Sequence, residues 1–459
     1  MIDPGSFRDP AGIVLRVGNR ILRAVSPFGA EEFEAARDSG LLEALVRQEM
    51  LVPFREIDPT PIAQEFGISA RYVLEHPRLP FISYPYEWSF TALKAAAICH
   101  LEVHLIALEH GFTLSDATAF NIQFDGSRPI FIDHLSFRRY REGEYWLGHR
   151  QFCEQFLNPL LLRSICGIPH QAWYRGNLHG IPDTELAKIL PWPRRWTPIA
   201  LLNVTLPAYF QRKYADRPAV AKPRRELPRA AFKNMLVQLR KGIERLTARR
   251  GDAGVWADYV DTHTYAADET SQKKDFIHRY VSAVKPQTVW DLGCNTGAFA
   301  RVCLAAGAER VIGFDNDPDT LDVAYQLARK DTLPFLPLHM DITNPTPSQG
   351  WRERERGGFA SRDKPDGVIA LALLHHLVVR NNVPTVDAID WLMSVAPTGI
   401  LEFVPKNDPM VQRLLALRED IFPQFTREVF LAAVGERAQI VEQCTLTNDG
   451  RLLVRYAKR

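Results

Sequence analysis

The segment Val289-Trp290-Asp291-Leu292-Gly293-Cys294-Asn295-Thr296-Gly297 runs an apolar strand into a turn bracketed by glycines, with an acid near the strand's end. Glycines at 293 and 297 let the backbone turn sharply and approach a ligand with no Cβ in the way. A helix starting near Gly297 aims its free N–H groups at that ligand. Asp315 closes the next apolar run, Val311-Ile312-Gly313-Phe314, where a carboxylate can accept both hydroxyls of a ribose. The two features together predict a nucleoside-cofactor site in a fold of alternating strands and helices.

A glycine turn after a strand also serves dinucleotides, and an ordinary loop can produce one. Here Asp291, two residues before the first glycine, would repel a diphosphate but suits a cofactor bearing an ammonium and a sulfonium. Two further runs follow: Phe335 to Met340, ending in Asp341, and Gly367 to Leu374, read as a buried strand ending in His375-His376. Helical stretches at Asp319 to Arg329 and Thr385 to Val395 alternate with these runs, the βαβ signature. After a strand at Gly399 to Val404 come a helix at Pro409 to Arg418 and two more strands, Ala438 to Leu446 and Arg451 to Ala457. The last two are joined by a hairpin signal at Thr447-Asn448-Asp449-Gly450.

On Asp291 to Gly297, Asp315 and Asp341, residues 256–459 resemble the class I S-adenosylmethionine-dependent methyltransferases. The resemblance implies an α/β, seven-stranded Rossmann-like fold. It implies S-adenosylmethionine as cofactor, held by Asp291, Gly293, Asn295, Gly297, Asp315, Asn316, Asp341 and Leu373, and a catalytic role for His375 or His376. Asn295 and Thr296 stand where the commoner motif has a middle glycine. Glu402 and Lys406-Asn407-Asp408 are further candidates for acceptor contacts, and Tyr265 for closing over the cofactor.

At 459 residues the chain is too long for one ordinary core, and 46% apolar content suffices to bury two. Six cysteines with no C-x-x-C and no histidine at ligand spacing predict neither a disulfide framework nor a zinc site, so a reducing cytoplasm is expected. No signal pattern opens the chain. The apolar stretch Ala92 to Leu108 is interrupted by Lys94, His100, Glu102 and His104, so no transmembrane segment is expected. Trp196 to Phe210, apolar and flanked by Arg194, Arg195, Arg212 and Lys213, is too short to span and is weighed as a membrane-surface contact.

The small net charge of +2 hides an asymmetry: residues 211–250 hold thirteen Lys or Arg against Asp216, Glu226 and Glu244. Phe232, Met235, Leu236, Leu239, Ile243 and Leu246 fall on one helical face, so 211–255 reads as a basic linker helix between domains 1–210 and 256–459. Its alternative reading is contact with RNA or with an anionic lipid or saccharide.

In the N-terminal half, Asp116 is followed by Asn121, a hairpin turning at Asp125-Gly126, and Asp133 at the end of an apolar strand. This resembles the catalytic loop and metal-binding strand of protein-kinase-like phosphotransferases. It implies an α+β kinase-like domain in which Asp116 is the base and Asn121 and Asp133 hold magnesium beside ATP. The pattern departs from that family: His134-Leu135 follows Asp133, no glycine-rich lid precedes it, and Arg23 stands in the lysine's place with Glu31, Glu32 or Glu34 as its expected partner. The domain is therefore read as degenerate and acceptor-selecting. Pro77 to Trp88, rich in proline and aromatics, reads as an interlobe hinge or a stacking wall.

The leading function is methyl transfer to an O or N acceptor on a small-molecule, saccharide or lipid-linked substrate. No Asn- or Asp-Pro-Pro-aromatic sequence follows the fourth strand, and no cysteine lies between Cys303 and Cys444, which disfavours two nucleic-acid methylating chemistries. An RNA methyltransferase, a bifunctional kinase-methyltransferase and a non-catalytic cofactor-binding regulator are the alternatives. Kinase-like and methyltransferase modules in one chain are also similar to enzymes that cap bacterial polysaccharides and to nodulation-associated methyltransferases.

Overall fold

The computed structural model describes residues 1–213, 226–249, 267–416, 418–446 and 450–458. Tyr265, the basic stretch 214–225 and residues 447–449 of the hairpin turn lie outside them. The chain divides into two compact units: Met1–Asp252 with Pro347–Ser361, and Ala253–Thr346 with Arg362–Arg459.

The first unit opens with an antiparallel sheet of β1 (Gly12–Val17), β2 (Arg20–Val25), β3 (Arg55–Ile57) and β4 (Tyr72–His76), ordered β1-β2-β4-β3. Alternate residues turn inward, so Leu15, Leu22, Ala24 and Val73 bury with Ile62. After β2, Ser26 caps the helix Pro27–Asp38, its hydroxyl accepting from the Gly29 N–H while Pro27 pre-sets the first turn. The helix expected from Ala92 starts at Phe90 and runs to Glu109, with Ser89 as its cap. It is long and apolar enough to cross a membrane, yet 67% of its apolar window is buried in the unit, where it is the core helix. Its His100 and His104 lie among Trp146, Phe152 and Phe156.

The basic helix spans Arg229–Glu244 and buries Phe232, Leu236, Leu239 and Ile243. It lies along the core helix, where Lys233 pairs with Glu109 at 2.9 Å and Arg240 with Glu102 at 3.1 Å. Phe81, Tyr84, Tyr86 and Trp88 of the proline-aromatic stretch are buried, so they pack the core and offer no stacking wall. Beyond the core helix, β5 (Phe112–Leu114) pairs with β8 (Phe137–Arg139), and β6 (Ile122–Asp125) with β7 (Arg128–Phe131) across the turn at Gly126.

The second unit is a seven-stranded sheet of β9 (Thr288–Leu292), β10 (Arg310–Asp315), β11 (Phe335–His339), β12 (Gly367–Ala370), β13 (Thr398–Phe403), β14 (Gln439–Thr445) and β15 (Leu452–Ala457). Their order is β11-β10-β9-β12-β13-β15-β14. The first five are parallel, and the final pair is antiparallel. Strand order therefore reverses at β9, whose neighbours are β10 and β12, and ligands bind beyond the carboxyl ends of strands at such a switch point. Capped by Asp317, the helix Pro318–Lys330 follows β10, and Thr385–Ser394 follows β12. The strand expected over Gly367 to Leu374 stops at Ala370, because Ala372 takes a left-handed φ of +49° that ends an extended run.

Candidate functional site

The carboxyl ends of β9, β10 and β12 meet at the switch point. The turn after β9 has Gly293 at φ +83° and Gly297 at φ +81°, a region that side chains rarely adopt. A Cβ at Gly297 would lie 2.5 Å from the Phe335 ring, so this glycine is fixed by packing as well as by backbone angle. Gly297 N-caps the helix Ala298–Ala305. Between the glycines, Asn295 is itself left-handed at φ +47°, and its N–H donates to the Asp315 Oδ2 at 2.9 Å. The Asp315 Oδ1 accepts from the Asp317 N–H at 3.0 Å. Asp315 thus ties the end of β10 to the glycine turn that follows the neighbouring strand β9.

Asp291 is fully buried at the end of β9, and its Oδ2 has no hydrogen-bond partner among the described residues. Burial first, and then the negative charge of Asp315, push its carboxyl up to about 8. Burial also raises Asp315. Buried with an open oxygen, such a carboxyl favours its neutral form unless a cation lies beside it. Asn316, which follows Asp315 in the chain, is exposed. Asp341 lies two residues past β11, and its Oδ1 accepts from the Thr343 N–H and hydroxyl at 2.9 and 2.6 Å. The Leu373 side chain approaches Gly293.

His375 and His376 follow the turn after β12, their rings 4.2 Å apart. Neither His375 ring nitrogen has a partner among the described residues. Burial, then His376, pushes His375 well below the ordinary histidine range; burial, then Arg380, takes His376 down to about 4. Both imidazoles are neutral near pH 7.

Glu402, expected to face the acceptor, turns inward instead and is wholly buried. Its carboxylate accepts from the Lys273 Nζ at 2.7 Å and from the Ala372 N–H at 2.9 Å. Arg451, 3.5 Å from Glu402, donates from Nε to the Asp408 Oδ2 at 2.7 Å. The other Asp408 oxygen caps the helix Pro409–Leu415. Lys406 pairs with Asp420 at 2.7 Å. These groups hold the site's frame. Lys273 and Arg451, both part of it, carry no local sequence signal.

In the first unit, Asp116, Asn121 and Asp133 do come together. The Asn121 amide donates to Asp116 at 3.1 Å and to Asp133 at 3.4 Å, and the Ser136 hydroxyl donates to Asp116 at 2.8 Å. Arg23 pairs with Asp133 at 2.7 Å. Its expected partners bind elsewhere: Glu31 and Glu32 face Arg139, and Glu34 accepts from Tyr72. Burial, then Asp133, raises Asp116 to about 7. With Asp133 neutralised by Arg23 and Asp116 held by Asn121 and Ser136, the donors are already engaged. Among the described residues no three acidic, histidine or cysteine side chains form a metal-holding group. Asp116, Asn121 and Asp133 thus hold one another, with Arg23 and Ser136 completing the cluster.

Residues 271–387 match the FtsJ-like methyltransferase family. Nodulation protein NoeA of Rhizobium meliloti (strain 1021) is 46% identical over 457 residues, covering 99% of this chain and 95% of that protein. A tRNA U34 carboxymethyltransferase of Hydrogenovibrio crunogenus (strain DSM 25203 / XCL-2) is 25% identical over 207 residues, 44% of this chain and 55% of its own length. Among solved structures, the N-methyltransferase NodS of Bradyrhizobium japonicum WM9 is 17% identical, covering 42% of this chain and 97% of that one at a TM-score of 0.31. The identity to NoeA runs along nearly the whole chain, and the residues matched by the methyltransferase family include the glycine turn and Asp315: the chain belongs to the family of nodulation protein NoeA, and it is an S-adenosylmethionine-dependent methyltransferase.

Proposed function

We propose that the enzyme methylates a nitrogen or oxygen of a small-molecule, saccharide or lipid-linked acceptor, and that the first unit is a degenerate kinase-like domain that selects this acceptor without transferring phosphate. The observation that supports the methyl-transfer site is the bond from the Asn295 N–H of the glycine turn to Asp315 at the switch point, with the His375-His376 pair following the neighbouring strand β12. S-adenosylmethionine, when bound, supplies an electrophilic methyl on a sulfonium. Of the chain's own groups, Asp315 would receive the ribose hydroxyls, Asp341 would lie on the adenine side, and buried Asp291 would face positive charge. The glycine turn and the Leu373 side chain would border the methionine moiety, with Asn316 at the ribose. The neutral histidines favour nitrogen over oxygen. A general base works best when its pKa is near the working pH, and His376 lies near 4. An amine that binds in its unprotonated form attacks with its own lone pair and sheds a proton to solvent afterwards, so a weakly basic imidazole suffices to orient it.

Methyl transfer from labelled cofactor to amine-bearing and hydroxyl-bearing saccharide acceptors, each with and without a lipid tail, tests this reading. His375→Ala is expected to lower kcat by about 100-fold. For an acceptor bound as the free amine, the wild-type kcat should stay flat from about pH 6 upward, because the neighbouring imidazole has lost its proton by then. A sigmoidal rise centred near neutrality, or transfer to hydroxyls alone, would count against a nitrogen acceptor.

Cofactor affinity should itself depend on pH. The raised carboxyl of Asp291 is mostly protonated at pH 7, whereas a cationic ligand favours its ionised form, so binding releases a proton. Affinity is then complete above about pH 8 and falls by up to about tenfold per unit as pH drops below that value. Calorimetry in two buffers of different ionisation enthalpy reads the proton directly. A pH-independent Kd across this range would remove Asp291 from the cation site.

The alternative RNA acceptor receives less support, since Lys233 and Arg240 of the basic helix already pair with Glu109 and Glu102. A cytoplasmic location suits the six cysteines, among which no disulfide forms.

A further inference from the structure

Residues 191–213 of the first unit carry Arg194, Arg195, Arg212 and Lys213 and not one Asp or Glu. The turn Trp192–Trp196 leads into a helical run from Pro198 to Lys213. The Thr205 hydroxyl donates to the Arg195 carbonyl at 3.0 Å, joining the two pieces. Ala200, Val204 and Ala208, four residues apart, bury one stripe of the run in the unit. The opposite stripe, Leu202, Leu206, Tyr209 and Lys213, faces outward beside Phe210. Trp192 is 70% exposed, Leu202 62% and Trp196 55%, and the two indoles meet edge to face at 6.1 Å. Scattered apolar residues on a surface need no explanation, but two tryptophans, two leucines and two other aromatics on one short segment are a patch.

Beneath the turn lies a cleft of about 580 Å³. Its lining joins Arg194 and Arg249 with the hydroxyls of Ser164, Thr197 and Thr247 and an aliphatic wall that includes Ile199. Arg249 also donates to the Ile165 carbonyl. Two guanidiniums with hydroxyl donors suit a phosphate, which accepts from both.

We propose that this surface docks the protein on an anionic phospholipid bilayer, with the apolar stripe entering the headgroup boundary and a lipid phosphate received in the Arg194–Arg249 cleft. Charge complementarity selects this occupant. An acid-free segment with cations flanking exposed tryptophans matches the composition of helices that lie in a membrane interface. Nucleic acid would use the arginines and aromatic faces but gains nothing from exposed Leu202 and Leu206. A second copy of the chain would bring the same four cations together. The inference stands on the first unit alone, independent of the methyl acceptor.

The test is flotation of the full-length protein with vesicles of phosphatidylcholine alone and of phosphatidylcholine with phosphatidylglycerol. Binding is expected to the anionic vesicles only, weakening with salt. Trp192→Ala/Trp196→Ala and, separately, Leu202→Asp should each bind about tenfold more weakly. Arg194→Glu should lose the preference for phosphatidylglycerol. All these side chains are surface-exposed or line the cleft, and an unchanged melting temperature certifies that the variants fold. Wild-type-like flotation of the tryptophan and leucine variants overturns the proposal. So does a failure to float with anionic vesicles; tight binding of a single-stranded RNA oligonucleotide, or light scattering that shows self-association abolished by Leu202→Asp, would then name the occupant instead.

Discussion

Asp315→Ala is expected to weaken S-adenosylhomocysteine binding by at least about 100-fold while leaving the unliganded fold within about 2 kcal/mol of wild type. The large loss has two sources. The carboxylate is the group placed to meet the ribose hydroxyls, and charge-assisted hydrogen bonds of that kind contribute about 1.5–3 kcal/mol each. The same carboxylate accepts from the Asn295 N–H and so holds a non-glycine residue at φ +47° inside the cofactor turn. Without it, Asn295 is free to relax and the turn opens. The small effect on the empty fold has a cause of its own: removing one of two neighbouring buried acids relieves Asp291, which Asp315 helps push upward. Asp315→Asn should fall between the two, since an amide oxygen can still accept from Asn295 but cannot supply charge. Calorimetric titration and thermal melting read the two quantities separately. Unchanged affinity in the alanine variant would sink the assignment of the site.

What the sequence made legible is local. Glycines 293 and 297 and the acids at 291 and 315 sit at fixed distances from strand ends, and backbone angle and strand geometry alone bring them together. The terminal antiparallel pair was likewise readable from two alternating runs. The Asp116, Asn121 and Asp133 grouping follows from one loop and one hairpin. What stayed hidden depends on pairs far apart in the chain. Lys273 meets Glu402 across 129 residues, Arg451 meets Asp408 across 43, and Arg23 meets Asp133 across 110. A charged residue carries no mark of whether it will face water or a distant partner. Glu402 therefore read as a substrate contact when it is a buried anchor, and Arg23 was matched with the acids of the following helix. Residues 347–361 illustrate the same limit: they fall in sequence between β11 and β12 yet belong to the first unit, where Glu355 pairs with Arg8 at 2.8 Å and the Arg356 guanidinium lies over Phe120.

Glu402→Ala should destabilise the second unit by about 3–5 kcal/mol, more than any other single change in the site. The glutamate is the meeting point of a buried network that joins the helix Ala267–Val284 through Lys273, the turn after β12 through the Ala372 N–H, and the start of β15 through Arg451. Removing it takes away the carboxylate that bonds the lysine and frees a backbone donor in a place water does not reach. Burial already pulls the Lys273 ammonium below its ordinary range even with Glu402 present, and losing the larger of its two carboxylate charges lowers it further. The consequence reaches function because the freed N–H belongs to Ala372, whose left-handed angle ends β12 and sets the direction in which Leu373 to His376 leave the strand. Glu402→Gln separates the two roles. Its amide oxygen can keep the Ala372 bond while the charge is gone, so it should lose stability but retain more of kcat than alanine does. Denaturant unfolding and steady-state kinetics on the three proteins decide the matter. If alanine and glutamine lose kcat in the same proportion at a temperature where both are folded, the network steadies the unit without aiming the histidines.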